Sequence, residues 1–264
     1  MDLPLYQLDA FAGRRFAGNP AAVCPLDAWI GDDLMQAIAN ENNLAETAFL
    51  VREGGGYRIR WFTPTHEVEL CGHATLAAGH VVANHLQPGA REIAFASKSG
   101  TLKVSREGEL YVLDFPALPP QPAAAPEGLA EALGAAPSEV LETGIWCLAV
   151  FRNAGEVAAL EPDMARLSDL SADAVIASAP GEGCDFVSRC FVPKLGIPED
   201  PVTGSAHCVL TPYWAARLGK TRLEARQISR RGGELVCSLP GGAAGDRVTI
   251  AGKVIPYLEG RIHV

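Results

Sequence analysis

The chain has 264 residues, 48% of them hydrophobic, enough to bury a sizeable core in one large domain or two smaller ones. Its 22 basic and 31 acidic residues give a formal net charge of -9, which argues against nucleic acid or anionic lipid as partner and for a small molecule. Seven cysteines, an odd number with no Cys-x-x-Cys pair, suit thiols in a reducing compartment better than a disulfide framework. The opening MDLPLYQLDAF has no basic stretch leading into an apolar one, and no apolar run reaches the roughly 18 residues of a membrane span. A soluble, cytoplasmic protein is expected.

In chain order, residues 3–9 alternate as a strand, and DDLMQAIANEN (32–42) carries apolar residues at helical spacing behind two acids. TAFLV (47–51) and YRIRWF (57–62) read as strands joined by a tight turn through Gly54 and Gly55. The segment GHATLAAGHVVANHL (72–86) is small or apolar on nearly every face, which predicts a helix enclosed by other structure. Strands are expected at 91–96, 101–105 and 110–115, followed by the proline-rich FPALPPQPAAAP (115–126), the best linker in the chain. Beyond it lie helical signals at 127–134, strands near 145–151, 174–178 and 185–192, and a helix near 204–218. Strands at 223–229, 234–239, 247–251 and 254–258 complete the chain.

This order repeats that of the first half, and residue matches recur at an offset of 132: Gly72 and Ala74 with Gly204 and Ala206, Ser97 and Gly100 with Ser229 and Gly232. Phe62-x-Pro64 has its counterpart in Phe191-x-Pro193. The expectation is an α/β (α+β) chain of two duplicated halves, each a strongly bent sheet around one apolar helix, with a cleft between them. The linker divides it into 1–117 and 118–264, the last ten or so residues being candidates to return to the first domain.

Duplication makes Gly72-His73-Ala74 and Gly204-Ser205-Ala206 equivalent helix entrances, where unpaired amides and the positive end of the helix dipole can hold an anion. The plainer reading is that Ser205 or Thr203 caps its helix and Gly72 makes a turn. Acid and base candidates stand beside both entrances. His73 is suited to proton transfer near neutral pH, Asp200 is held extended by Pro201, and Glu199 competes with Asp200 for the same role. Glu46 lies where polar sequence becomes an apolar strand, and burial there would raise its pKa toward that of a proton shuttle. Other motifs fail. Gly219-Lys220-Thr221 lacks the first glycine of a phosphate loop, which would stand at Trp214; Ser205 has no GxSxG elbow; and His66, His73 and His80, seven apart, lack the tight spacing of a metal site.

LDAFAGRRFAGNPAAVC (8–24), NLAETAFL (43–50), RWFTPTHEVELCGHATLAAGH (60–80) and EDPVTGSAHC (199–208) together resemble the PhzF-like family of phenazine biosynthesis, relatives of diaminopimelate epimerase. The resemblance implies the diaminopimelate-epimerase-like fold, with each half a barrel-like sheet around a central helix. It also implies a homodimer, no metal or organic cofactor, and isomerisation of a small carboxylate similar to trans-2,3-dihydro-3-hydroxyanthranilate. It places the family's catalytic glutamate, histidine and aspartate on Glu46, His73 and Asp200, and its substrate-binding residues on Gly72, Gly204 and Ser205. Two alternatives stand beside this reading: an amino-acid or hydroxy-acid epimerase or racemase of the same fold, and a small-anion binding protein without catalysis. Racemases of the fold use two facing cysteines. Here Cys71 precedes Gly72, but Cys208 lies one turn inside the second helix, so both thiols are expected to be small buried side chains.

Overall fold

The computed structural model describes residues 1–242 and 245–264. Its elements run β1 (Asp2–Ala10), β2 (Asn19–Leu26), α1 (Asp32–Asn42), β3 (Glu46–Glu53), β4 (Gly56–Phe62), β5 (Glu67–Val68), α2 (Gly72–Val81), β6 (Glu92–Ser97), β7 (Gly100–Glu107) and β8 (Leu110–Pro116). There follow β9 (Gln121–Pro122), α3 (Leu129–Leu133), β10 (Glu139–Thr143), β11 (Trp146–Val150), α4 (Ala154–Ala158), α5 (Met164–Asp169), β12 (Ala174–Pro180) and β13 (Phe186–Val192). The last are β14 (Ile197–Asp200), α6 (Gly204–Leu218), β15 (Arg222–Gln227), β16 (Gly233–Ser238), β17 (Arg247–Gly252) and β18 (Val254–His263). Contacts group them into two units, Met1–Asp114 with Ala251–Val264, and Phe115–Ile250. The division thus falls at the start of the proline-rich stretch, and the whole of β18 belongs to the first unit. Among the described residues, no helix is long and apolar enough to cross a membrane.

In the first unit the strands pair in the order β18–β1–β2–β3–β4–β6–β7–β8, with β5 also on β4. Two of these pairings, β2–β3 and β4–β6, are parallel and need a crossover; α1 and α2 supply them. Helix α2 packs against β1, β2, β3 and β18, and also against β7 near the other end of the order, so the sheet curls around it. Only small side chains allow such enclosure. At Gly79 an added Cβ would lie 2.6 Å from Val104 Cγ1 on β7. Helix α1 takes the outer face instead, where Met35 and Ile38 pack with Cys24, Leu26, Phe49 and Phe62.

The second unit repeats this frame as β9–β10–β11–β12–β13–β15–β16, with parallel pairs at β11–β12 and β13–β15 and with β14 on β13. Helix α6 occupies the place of α2 and begins 132 residues after it. The duplication expected from residue matches is therefore present in the strand pairing. Its outer face carries α3, α4 and α5, whose Leu133, Val157 and Leu167 cluster with Phe151 and Phe191. A second repeated feature joins β4 to β5 and β13 to β14. Arg60 on β4 lies over the Phe62 ring and grips Glu67 with two nitrogens, and Arg189 on β13 lies over Phe191 and grips Glu199 in the same way.

Three details depart from expectation. The predicted helix over 72–86 is α-helical only to Val81, and Val82–Leu86 forms a π-helical turn. Within the proposed linker, Gln121–Pro122 forms β9 on the edge of β10. Helix α6 contains Pro212, which cannot donate to Cys208 O four residues earlier; the Leu118 amide donates to that carbonyl instead, at 2.9 Å.

Gly79→Ala should lower stability by about 1–2 kcal/mol despite the better helix propensity of alanine, because the methyl overpacks against Val104. Urea unfolding should show that penalty shrinking when the same change is made on a Val104→Ala background.

Candidate active site

Side-chain alternation along β3 decides where Glu46 points. Thr47 and Phe49 face α1, since Asn42 Nδ2 donates to Thr47 Oγ1 at 3.0 Å and Phe49 clusters with Met35. Glu46, Ala48 and Leu50 therefore face α2. His73, the second residue of α2, meets Glu46 there: its Nε2 lies 3.0 Å from Glu46 Oε2, with the two side chains only 7% and 12% exposed. Asn19, the first residue of β2, brings Nδ2 to 3.2 Å from His73 Nδ1, and Cys71 Sγ lies 3.5 Å from the same nitrogen. Neither His73 Nε2 nor Glu46 Oε2 makes an aligned hydrogen bond among the described residues. Their approach is an ionic contact that leaves bonding capacity at both atoms.

Burial pushes the Glu46 carboxyl up, as the sequence suggested, but the neighbouring His73 charge, its hydrogen-bonding contact and the Cys71 thiol outweigh it. The net shift is below the ordinary carboxylate value, which corrects the expectation of a raised pKa. His73 moves the other way. Burial opposes its charge, yet Cys71 and Glu46 hold it well above the ordinary 6.5. The Cys71 thiol is itself pushed up to about 11 by burial and by Glu46. Both shifts favour a carboxylate beside an imidazolium.

In the second unit, alternation along β14 separates the two competing acids. Glu199 turns to the outer face, where Arg189 binds both its oxygens at 2.8 and 2.9 Å, and it is a structural ion pair. Asp200 turns the other way and accepts from Thr203 Oγ1 at 2.6 Å. The fully buried Gln227 on β15 braces this corner: its Oε1 accepts from the Thr203 amide at 2.9 Å and its Nε2 donates to Asp200 O at 2.7 Å. Neither helix entrance is capped by a side chain. Thr203 precedes α6 without capping it, Ser205 is exposed, and Cys71 precedes α2 without a cap hydrogen bond. The amides at Gly72, Gly204 and Ser205 are thus left to other acceptors.

Within the first unit the structure brings Glu46, Gly72 and His73 together, and within the second Asp200, Gly204 and Ser205. The three histidines do not converge: His66 sits in a turn with Nδ1 near Thr63 and Thr65 hydroxyls, and His80 lies beside the Tyr111 ring. Glu46, Cys71 and His73, by contrast, offer ligand atoms within 4.8 Å of one another. Cys208 is buried and its thiol is pushed up to about 12 by burial. Sequence reasoning missed Asn19 and Gln227. Asn19 had one signal, a polar residue at the head of an apolar run; Gln227, the last residue of an alternating strand, had none.

Comparison with known proteins gives a consistent picture. A family model described as phenazine biosynthesis-like protein matches residues 8–260. An uncharacterized isomerase of Pseudomonas aeruginosa is 53% identical over 264 residues, spanning 100% of both chains. The human phenazine biosynthesis-like domain-containing protein is 37% identical over 304 residues and 99% of each chain. Among solved structures, a PhzF-family phenazine biosynthesis protein of Enterococcus faecalis superposes with a TM-score of 0.96 at 44% identity, covering 100% of both chains. A hydroxyproline epimerase of Agrobacterium vitis shares the fold, with a TM-score of 0.62 at 11% identity over 99% of this chain and 92% of that one.

The raised His73 value means that imidazole resonances in an NMR titration should remain those of the protonated ring at pH 7. Glu46→Gln removes one of the two partners that raise His73 and should lower its titration point. The sign for stability follows. The pair contributes fully between the unfolded carboxylate and imidazole values, and loses its contribution as pH rises through folded His73 or falls through folded Glu46.

Proposed function

The chain belongs to the PhzC–PhzF family of phenazine biosynthesis-like proteins and is an isomerase, and from that premise we propose that it moves a proton between carbons of a small, unsaturated or cyclic carboxylate. The observation that carries this reading is the buried 3.0 Å approach of His73 to Glu46. Glu46, ionised, removes a proton from carbon. Once it has done so, one of the charges that hold His73 protonated is gone, and burial favours release of the imidazolium proton. Proton pickup at one atom thereby triggers delivery at its neighbour, and the returning proton can enter at a different carbon.

Each helix entrance, at Gly72 in the first unit and at Gly204 and Ser205 in the second, offers amides uncapped by side chains as fixed dipoles for a negatively charged group. Asp200, oriented by Thr203 and Gln227, is an auxiliary acid. A two-thiol racemase fits the site less well. Burial leaves both Cys71 and Cys208 as protonated thiols near neutral pH, and Cys208 is one turn inside α6. The same reading extends to a cytoplasmic homodimer that works without metal or organic cofactor on a substrate similar to trans-2,3-dihydro-3-hydroxyanthranilate.

Incubation with a panel of cyclic and acyclic unsaturated acids in deuterated water, followed by NMR, tests the assignment. Glu46→Gln should slow deuterium incorporation by about 10²- to 10⁴-fold with ligand affinity changed by only a few fold. Cys71→Ser should keep most of the exchange. The opposite pattern, exchange lost with Cys71 and kept without Glu46, would establish the racemase instead.

A further inference from the structure

We propose that Glu46, Cys71 and His73 also form a binding site for a borderline-soft divalent cation of the Zn2+ class, and that its occupancy switches the proton-carrying pair off. The three side chains supply one carboxylate oxygen, one sulfur and one imidazole nitrogen, the donor set such an ion prefers, with the ligand atoms within 4.8 Å of one another. In tetrahedral sites with bonds of about 2.0–2.3 Å, neighbouring ligand atoms stand roughly 3.3–3.8 Å apart. His73 Nε2 and Glu46 Oε2 stand 3.0 Å apart, and Cys71 Sγ lies 3.5 Å from the His73 ring at Nδ1.

Two observations beyond the clustering point to a ligand. His73 Nε2 and Glu46 Oε2 are buried polar atoms without an aligned hydrogen bond among the described residues, and they face each other. Asn19, at His73 Nδ1, acts as the outer partner that metal-binding histidines require: its side-chain amide can turn its oxygen to accept the Nδ1 hydrogen and so direct Nε2 at the ion.

Charge balance favours the exchange. With M2+ bound, a carboxylate and a thiolate carry two negative charges and the imidazole none, which balances the cation. A buried site can therefore take the ion without gaining charge. Three protein ligands leave a fourth position open. The ion then uses the lone pairs that would carry the proton, which makes the site inhibitory. The site stands on the geometry of the three side chains and needs neither the proposed substrate nor Asp200, while its inhibitory effect rests on the proton-transfer reading of Glu46 and His73.

Co2+ titration of metal-free protein tests it. One ion should bind per chain, with the visible bands of a tetrahedral site and a sulfur-to-cobalt charge-transfer band, both abolished when Zn2+ displaces the cobalt. Cys71→Ser should eliminate the charge-transfer band and weaken binding at least about tenfold. Serine is a favoured residue at the start of a helix, so α2 should persist, which circular dichroism can verify. Cys208→Ser should bind Co2+ as the native chain does. A native protein without the charge-transfer band, or a band that survives Cys71→Ser, overturns the proposal, while the exchange measurement with Glu46→Gln continues to judge the isomerase reading separately.

Discussion

A helix enclosed by a curled sheet is the constraint from which the rest of the first unit follows. Nearly every residue of α2 after Gly72 is buried, and the backbone passes so close to β7 that Gly79 has no room for a methyl group. Enclosure fixes the axis of the helix, and with it the position of its first turn against the start of β3. His73 and Glu46 are held together by that packing. Two opposite charges would otherwise be costly to keep away from water; here each offsets part of the cost of the other.

The duplicated frame shows which features belong to folding and which to chemistry. The Arg60–Phe62–Glu67 and Arg189–Phe191–Glu199 sets occur at matching places and do matching work, fastening β5 to β4 and β14 to β13. The inner faces diverge. Where the first unit sets an ion pair beside its helix entrance, the second sets Asp200, Thr203 and Gln227 in a hydrogen-bonded corner. Gln227 lies 132 residues beyond Phe95, a fully buried core residue, so one copy packs with an aromatic ring where the other builds a polar brace.

Much of this was legible in the sequence because it rests on local chemistry. Gly54 and Gly55 take positive φ values of 59° and 83°, as a tight hairpin requires, and the small-residue composition of α2 foretold its enclosure. Strands buried on both faces, such as β2, lack the alternation that reveals a strand and went unread. So did β5 and β14, two and four residues long, though they carry Glu67 and Asp200. Glu46 and His73 were identifiable as candidates, but the direction of the carboxyl shift was not. That sign depends on a 3.0 Å distance between residues 27 positions apart, which no pattern along the chain encodes. The choice between Glu199 and Asp200 likewise needed the register of β14 on β13.

Strand β18 has a further consequence, for the order in which the chain can be completed. Residues 115–250 are contiguous and make up the second unit, whereas the first is assembled from two separated segments. Its strand β1 stays without its β18 partner until position 263 has been made. During synthesis the interior unit can therefore reach its final form while the outer one waits with an open sheet edge. The contacts that close that edge join residues at opposite ends of the chain, the slowest kind of contact to find. An exposed strand edge during that interval is a place where a chaperone has something to protect.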